Sequence, residues 1–176
     1  VFDRTVDGRI MMPFNWGFVP HWAKDPSIGN RMFNARAETL GEKPSFRASF
    51  RRKRCLIPAN GFYEWKKLKG TTSQAYLIRA RADELIAFAG LYERWEGPKG
   101  KIIDSATIIT CAPNLMMADI HDRMPVILPE ERYSAWLDPG NEDTSALSSI
   151  LIPCPDDYLE AVPVDKVTES PPTDVD

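Results

Sequence analysis

One histidine of this sequence stands where a catalytic group could act. The sequence contains two histidines, His21 and His121. His121 opens the polar run His-Asp-Arg-Met-Pro, which ends at Pro125 just before an apolar stretch, and loops held by a scaffold often carry catalytic groups. Because imidazole gains and loses a proton near neutral pH, His121 is a candidate acid or base. A loop histidine that only hydrogen-bonds to backbone is an equal alternative, and His21, within an aromatic turn, is predicted to be structural.

Glu64 places a carboxyl group inside the aromatic segment Phe62-Tyr-Glu-Trp65. On a strand, the side chain of Glu64 shares one face with Phe62, whereas Tyr63 and Trp65 share the other. A carboxyl group among aromatic rings loses hydration, which raises its pKa and suits a general acid. The alternative is a glutamate at the rim of the protein, paired with one of the many arginines.

An amide, a cation and an anion alternate in Asn34-Ala-Arg36-Ala-Glu38. In an extended segment, all three side chains point to one side and could hold a polar ligand. The same pattern also fits the rim of a strand on which Arg36 pairs with Glu38.

Charge is divided sharply along the chain. Residues 31–69 contain eleven Lys and Arg against three acids, and residues 138–176 contain ten acids against Lys166 alone. A basic cluster of this size can hold a polyanion such as the phosphates of nucleic acid, although two solvated faces would give the same composition.

Tryptophans beside these cations have two interpretations. Trp16, Trp22, Trp95 and Trp136 are core residues by default, but aromatic rings next to a basic patch can also stack on unpaired bases. Trp65, which follows Glu64 and precedes two lysines, is our first candidate for such a stacking platform, and Trp16 is the second.

Several classes of function lack the residues that they need. Cys55, Cys111 and Cys154 are odd in number and far apart, so neither a disulfide framework nor a metal site built on a Cys pair is expected. Two histidines a hundred residues apart do not form a zinc shell, and no phosphate-loop or dinucleotide fingerprint is present. We therefore expect no metal and no cofactor. With no apolar run of membrane-spanning length, we expect a cytoplasmic protein. We also expect a monomer, which would associate with the nucleoid if its basic residues bind DNA.

The elements that must position these side chains are mostly strands. Strands are predicted at Arg54–Pro58 and Phe62–Trp65, around a turn at Asn60-Gly61. Further β-branched and aromatic runs, typical of strands, cover Tyr76–Ile78, Leu85–Tyr92, Ala106–Cys111 and Val126–Leu128. Because no βαβ alternation is visible, we predict an α+β fold with a mainly antiparallel sheet that is curved or open and barrel-like.

Two helices flank these strands in the prediction. The capping-box pattern at Thr39, with Phe46 and Phe50 four residues apart, predicts a helix from about Leu40 to Lys53, and a second short helix is predicted over Glu130–Leu137. A single domain is expected over residues 1–168, followed by an acidic, disordered tail at 169–176.

Six motifs in this order resemble the SRAP (SOS response-associated peptidase) family. They are Trp16-Gly-Phe-Val-Pro, Asn34-Ala-Arg-Ala-Glu-Thr39, Arg52-Lys-Arg-Cys-Leu-Ile-Pro-Ala59, Gly61-Phe-Tyr-Glu-Trp65, Ala89-Gly-Leu-Tyr-Glu93 and His121-Asp-Arg-Met-Pro-Val126. Together they cover most of the chain, from Trp16 to about Trp136.

The resemblance implies a DNA-repair function. Members of this family sense abasic sites in single-stranded DNA and crosslink to them through a cysteine that follows the initiator Met, which they remove by autoproteolysis. The cysteine amine and thiol close a thiazolidine on the sugar aldehyde. The resemblance therefore implies peptidase and lyase-like activity in the DNA damage (SOS) response.

The resemblance also implies roles for single residues. Glu64 would be the acid or base, His121 would assist proton transfer and opening of the sugar ring, and Asn34 would hold the terminal amine or the substrate. Arg36 and Arg123 would bind flanking phosphates. Trp65 and Met124 would pack against bases.

The Met-Cys-Gly-Arg start of the family is not found in residues 1–12. We expect an N-terminal segment to be missing, and we expect the chain without it to bind DNA but not to form the thiazolidine. Two other hypotheses stay open. One is a single-stranded nucleic-acid module without chemistry, and the other is a thiol hydrolase that pairs Cys111 or Cys55 with His121.

Overall fold

Strands dominate the computed structural model, which describes residues 2–5, 8–68 and 73–165. Within these ranges the strands are β1 (Phe2–Thr5), β2 (Gly8–Met11), β3 (Asn15–Trp16), β4 (Asn34–Arg36), β5 (Arg54–Ala59), β6 (Phe62–Lys67), β7 (Ser73–Ala80), β8 (Ile86–Glu96), β9 (Ile102–Cys111), β10 (Met124–Pro125) and β11 (Leu159–Val164). The α-helices are α1 (Arg47–Arg52), α2 (Leu115–Ala118), α3 (Glu130–Leu137) and α4 (Thr144–Ser149), and 3₁₀ helices cover Pro26–Arg31, Ala37–Thr39 and Pro98–Gly100.

The larger sheet is organised around β9. One edge of β9 pairs with β8, and β5, β1 and β2 extend the sheet beyond β8, all antiparallel. The other edge of β9 pairs with β3 and β4 in parallel, with Asn34 opposite Ile108. The smaller sheet has the antiparallel order β11-β7-β6. The prediction of an α+β fold with a mainly antiparallel sheet is therefore confirmed.

The hydrophobic core lies between the two sheets and under the helices. Phe62 of the smaller sheet meets Phe88 of the larger sheet edge to face, with 5.8 Å between ring centroids. Trp136 and Trp95 are buried, as predicted, the second in a small separate cluster with Val19 and Ala23. Burial of a large apolar side chain contributes about 1.5–3 kcal/mol, so this core fixes how the sheets face each other.

The turn predicted at Asn60-Gly61 joins the two predicted strands, but it is not the turn of a hairpin. β5 pairs with β8 in the larger sheet and β6 pairs with β7 in the smaller one, so the turn passes the chain from one sheet to the other. A two-residue type I′ hairpin needs positive φ at both central residues, and neither Asn60 nor Gly61 has it. A Cβ on Gly61 would lie 2.4 Å from the carbonyl oxygen of Ile78, so glycine is needed here because the backbone of β7 comes so close.

The helix predicted from Leu40 to Lys53 is much shorter, because α1 begins only at Arg47. Proline disfavours helical backbone in the residue before it, so Pro44 keeps the helix from starting earlier. Thr39 ends a 3₁₀ helix and its hydroxyl donates to the carbonyl of Arg36, so it does not cap α1. The spacing of Phe46 and Phe50 was interpreted correctly, since both side chains are buried.

The segment after β10 fills the gap where β8 and β9 diverge. Val126 donates its N–H to the Ile109 carbonyl of β9, and its own carbonyl accepts from Ala89 of β8. The strand predicted over Val126–Leu128 therefore appears as β10 with its extension, and α3 covers the predicted helix. The predicted tail at 169–176 lies outside the described residues. No helix in the described ranges is long and apolar enough to cross a membrane.

Candidate functional site

Glu64 lies on the inner face of β6. Phe62, Glu64 and Lys66 are partly buried, whereas Tyr63 and Trp65 are exposed, which is the alternation that the sequence predicted. Burial raises the pKa of the Glu64 carboxyl above its usual value, and the nearby charge of His121 and an N–H from Trp65 act against this rise. The prediction of a raised pKa is confirmed, and it keeps a proton on Glu64 to higher pH.

His121 faces Glu64 from the turn between α2 and β10. Its ring Nδ1 lies 3.1 Å from both the backbone N–H and the backbone carbonyl of Arg123, and 3.3 Å from Oδ1 of Asp122. The charges of His121 and Asp122 both affect the pKa of the Glu64 carboxyl, so this turn lies close to β6. The structure thus brings the predicted acid on β6 close to the predicted histidine in the turn after α2.

β4 carries Asn34 and Arg36, both exposed, with buried Ala35 between them. The extended alternation stops there, because Ala37–Thr39 turns into a 3₁₀ helix that carries Glu38. The idea that all three polar side chains share one extended face is therefore wrong for Glu38. The alternative pair of Arg36 with Glu38 is also wrong, because Glu38 forms its ion pair with Arg123.

Arg123 is held tightly by protein groups. Its Nη1 and Nη2 donate to the two carboxylate oxygens of Glu38 at 2.7 and 2.9 Å, and Nη2 also donates to the carbonyl of Thr110 at 2.6 Å. The guanidinium that the resemblance assigned to a phosphate is thus engaged within the protein.

Met124 is 1% exposed, and its sulfur accepts the backbone N–H of Asn114 at 3.3 Å. Its side chain offers no surface to a base in this structure, so we assign it to the core.

An exposed aromatic pair stands beside β4. Trp16 is 61% exposed and Phe33 41% exposed, their rings meet at 5.4 Å, and the indole N–H donates to the carbonyl of Phe33. Gly17, at φ +124°, lets the chain turn sharply so that Phe18 enters the core while Trp16 stays outside. Phe33 was not predicted as a functional residue from the sequence. The one feature that could have indicated it is its position directly before Asn34. Trp22 is also exposed, so its default assignment to the core was wrong.

Trp65 lies on the opposite face of β6 from Glu64. Its exposed ring borders a shallow groove with Gln74, Val164 and Asp165, so it does not lie beside the Glu64 carboxyl group. Any base that stacked on Trp65 would therefore be on the outer side of the smaller sheet.

The basic segment divides into structural and exposed cations. Arg54 is buried and donates to five backbone carbonyls, Arg52 pairs with Glu142, and Lys53 pairs with buried Glu93. Six exposed residues form no ion pair among the described residues; these are Arg31, Arg36, Lys43, Arg47, Arg51 and Lys67. Lys69 lies outside the described ranges. The cluster available to a polyanion is thus smaller than the sequence indicated.

His21 has the structural environment that was predicted for it. Its Nδ1 lies 3.2 Å from Oε2 of Glu93, which also accepts from Ser49. This buried carboxylate ties the turn at His21 to α1 and β8. His21 is therefore a structural residue.

The three cysteines are buried and do not resemble nucleophiles. Burial raises the pKa of the Cys111 thiol to about 11 and that of Cys154 to about 12, and Cys55 is fully buried in the core. Thiols react as thiolates, so these environments oppose the thiol hydrolase hypothesis. Among the described residues, no group of three His, Cys, Asp or Glu side chains is placed to hold a metal ion.

We therefore expect an alkylating reagent at pH 8 to leave all three thiols unmodified in the folded protein and to label all three in denaturant. Intact-protein mass spectrometry measures this directly, and the denatured sample is the control for reagent activity. Rapid labelling of Cys111 in the native state would restore the thiol hydrolase hypothesis.

Comparison with known proteins shows the family to which this chain is related. The family model for the SOS response associated peptidase (SRAP) matches residues 2–171. The chain belongs to the SRAP family. Its SRAP relatives include abasic site processing protein YoqW of Bacillus subtilis, 52% identical over 156 residues, which cover 89% of this chain and 70% of YoqW. Abasic site processing protein HMCES of Rattus norvegicus is 34% identical over 86% of this chain and 52% of that protein.

Solved structures share the SRAP fold seen here. A protein from Bacteroides thetaiotaomicron superposes with a TM-score of 0.81 at 33% identity, covering 86% of this chain and 68% of that one. A protein from Bordetella bronchiseptica gives the same TM-score at 26% identity, covering 94% of this chain and 82% of that one.

Proposed function

We propose that this protein processes abasic sites in single-stranded DNA by forming a covalent adduct with the ring-opened sugar. Membership of the SRAP family supports this, as do relatives named abasic site processing proteins in bacteria and mammals. The observation that carries the proposal is that Glu64, with its raised pKa, lies close to the His121 turn, and that the Glu38–Arg123 ion pair joins this turn to the segment that presents Asn34.

The covalent step needs an amine and a thiol on neighbouring carbons. The amine nitrogen attacks the aldehyde carbon of the open sugar, and loss of one water gives a C=N bond. The thiolate then adds to the same carbon, the nitrogen takes up a proton, and a thiazolidine ring closes with C–N and C–S bonds. Internal cysteines carry an amide nitrogen in place of the amine, so Cys55, Cys111 and Cys154 do not fit this role. The nucleophile in this proposal is an amino-terminal cysteine, which autoproteolytic removal of an initiator Met would expose.

The site residues have separate tasks in this proposal. Glu64 in its acid form delivers the proton that lets hydroxide leave as water, since burial keeps that proton available. His121 moves a proton at Nε2 while its Nδ1 is held by the backbone of Arg123. Asn34, exposed on β4, holds the amine or the sugar by hydrogen bonds.

Exposed cations and aromatic rings bind the DNA strand in this proposal. Arg36 stands two residues from Asn34 on the same strand, where it can contact a flanking phosphate. The exposed rings of Trp16 and Phe33, on the same edge of β9, offer a stacking surface for an unpaired base.

The test is a crosslinking assay with single-stranded DNA that contains one abasic site. The chain is compared with a version extended to begin with cysteine, and DNA without the lesion is the control. We expect a heat-resistant adduct on a denaturing gel only with the extended chain and only with the lesion. If neither chain forms an adduct while both bind lesion and intact strands equally, the protein is a binding module without chemistry. An adduct with both chains would mean that another amine is the nucleophile.

A further inference from the structure

The Glu38–Arg123 ion pair joins two motifs that the proposed reaction uses. Glu38 belongs to the segment that carries Asn34, and Arg123 belongs to the turn that carries His121. The pair is bidentate, with N···O distances of 2.7 and 2.9 Å, and a bidentate arginine fixes orientation as well as position. Thr110 of β9 adds a carbonyl at 2.6 Å and a hydroxyl at 3.3 Å from Nη2.

Fixing Arg123 also fixes the hydrogen-bond partner of His121. The ring Nδ1 lies 3.1 Å from the N–H of Arg123 and 3.1 Å from its carbonyl oxygen. An unprotonated Nδ1 accepts from this N–H, and a protonated Nδ1 donates to this carbonyl or to Oδ1 of Asp122 at 3.3 Å, so the ring is held in either protonation state. Among the described residues Nε2 has no hydrogen-bond partner, so it is the atom free to exchange a proton with a substrate.

Glu38 is suited to hold this arrangement as an anion. The hydrogen bonds from Arg123 keep the pKa of Glu38 below its usual value, so it stays ionised at neutral pH. Its side chain is 53% exposed, so it adds little to the core and its replacement should leave the fold intact. Its contact with Arg123 spans 85 residues of sequence and closes the turn against the 3₁₀ helix after β4.

We propose that Glu38 is a positioning residue, which clamps Arg123 so that the Arg123 backbone holds the His121 ring at Nδ1 and leaves Nε2 to exchange the proton. The reaction in which this matters is that of the proposed function, but the orientation of the ring can be measured without it. Second-layer partners of catalytic histidines elsewhere set the tautomer in the same way.

The first readout is the tautomer of His121, measured by NMR on the chain labelled with ¹⁵N-histidine. Only two histidines contribute signals, and His121→Asn assigns them. On the alkaline plateau of the titration, we expect the wild type to show the distinct Nδ1 and Nε2 shifts of one dominant tautomer. In Glu38→Gln the two shifts should move toward each other as the tautomers mix. The control is Glu42→Gln. Glu42 is a nearby exposed acid that forms no ion pair among the described residues, so this variant should show the wild-type His121 shifts.

The second readout separates positioning from DNA binding. In the chain extended with cysteine, Glu38→Gln should lower the adduct rate at saturating DNA by about tenfold and leave the affinity for intact single strands unchanged. If Glu38→Gln keeps the wild-type tautomer, or if only the DNA affinity falls, the positioning role is wrong. If the wild type forms no adduct, the proposed function fails, and the tautomer of Glu38→Gln still decides this inference by itself.

Discussion

Replacing Glu64 with Gln in the chain extended with cysteine is expected to slow adduct formation by about 10²- to 10⁴-fold. Glutamine keeps the size and a hydrogen-bond donor but cannot transfer a proton. Affinity for single-stranded DNA should not fall, because a carboxylate near phosphates does not attract them. Single-turnover adduct formation on a gel measures the rate, and fluorescence anisotropy measures the affinity.

The pH dependence tests the state of the carboxyl group. Because burial raises the pKa of Glu64, its acid form persists above the usual range, and the wild-type rate should fall as pH rises through that raised value. The profile of Glu64→Gln should lack this step. Glu160→Gln, on β11 in the same sheet, removes a partly exposed acid paired with Arg79 and should retain the wild-type rate and profile. Equal rates for Glu64→Gln and the wild type would remove Glu64 from the chemistry.

The same pKa shift gives a stability effect of known sign. A carboxyl whose folded-state pKa is raised contributes stability below its unfolded pKa and loses it as pH rises through the folded value. Once Glu64 ionises, its charge therefore costs stability, and at a pH above its raised pKa Glu64→Gln should melt at a higher temperature than the wild type. A variant that is more stable but slower cannot owe its slow rate to unfolding.

Local pattern was enough to predict one half of the candidate site. The alternation in β6 depends only on the two-residue period of a strand, so the inward direction of Glu64 and its raised pKa could be predicted from four neighbouring residues. The turn at His121 and the helix over Glu130–Leu137 were likewise marked by nearby residue types. These features are local in sequence, and the structure agrees with each of them.

Contacts between distant residues were beyond such prediction. Nothing near Glu38 indicates that its partner is 85 residues away, and the closer Arg36 was the natural candidate. The Asn60-Gly61 turn could be predicted but its passage between two sheets could not, because sequence shows the turn residues and not the sheet to which each strand belongs. Two sheets that share a core are distinguished only by their packing.

Among the basic residues, sequence could not separate those that face solvent from those that hold the fold together. Arg51, Arg52, Lys53 and Arg54 form one run of cations, yet Arg54 is buried. Its guanidinium donates to the carbonyls of Phe50 and Arg51, at the end of α1, and to those of Trp136, Asp138 and Asn141, at and beyond the end of α3. The end of a helix leaves carbonyls without partners, and one arginine here satisfies the ends of two helices.

Arg54→Met is expected to destabilise the protein by about 3–5 kcal/mol, because five carbonyls lose a charged donor in a buried place. Methionine keeps much of the aliphatic volume, so the loss reports hydrogen bonds rather than a cavity. For a chain of this size, 1 kcal/mol corresponds to a shift in Tm of about 2–4 °C. Urea unfolding followed by tryptophan fluorescence measures the free energy, and thermal melting gives an independent value.

Arg52→Met is the matched control, since it removes the neighbouring arginine from a solvent-exposed pair with Glu142. Exposed ion pairs contribute about 0–1 kcal/mol, so this variant should stay close to the wild type. Arg54→Lys keeps the charge but has three N–H donors in place of five, so its stability should lie between those of the two methionine variants. If Arg54→Met lowers the free energy of unfolding no more than Arg52→Met does, the hydrogen bonds from Arg54 to the five carbonyls do not hold α1 to α3.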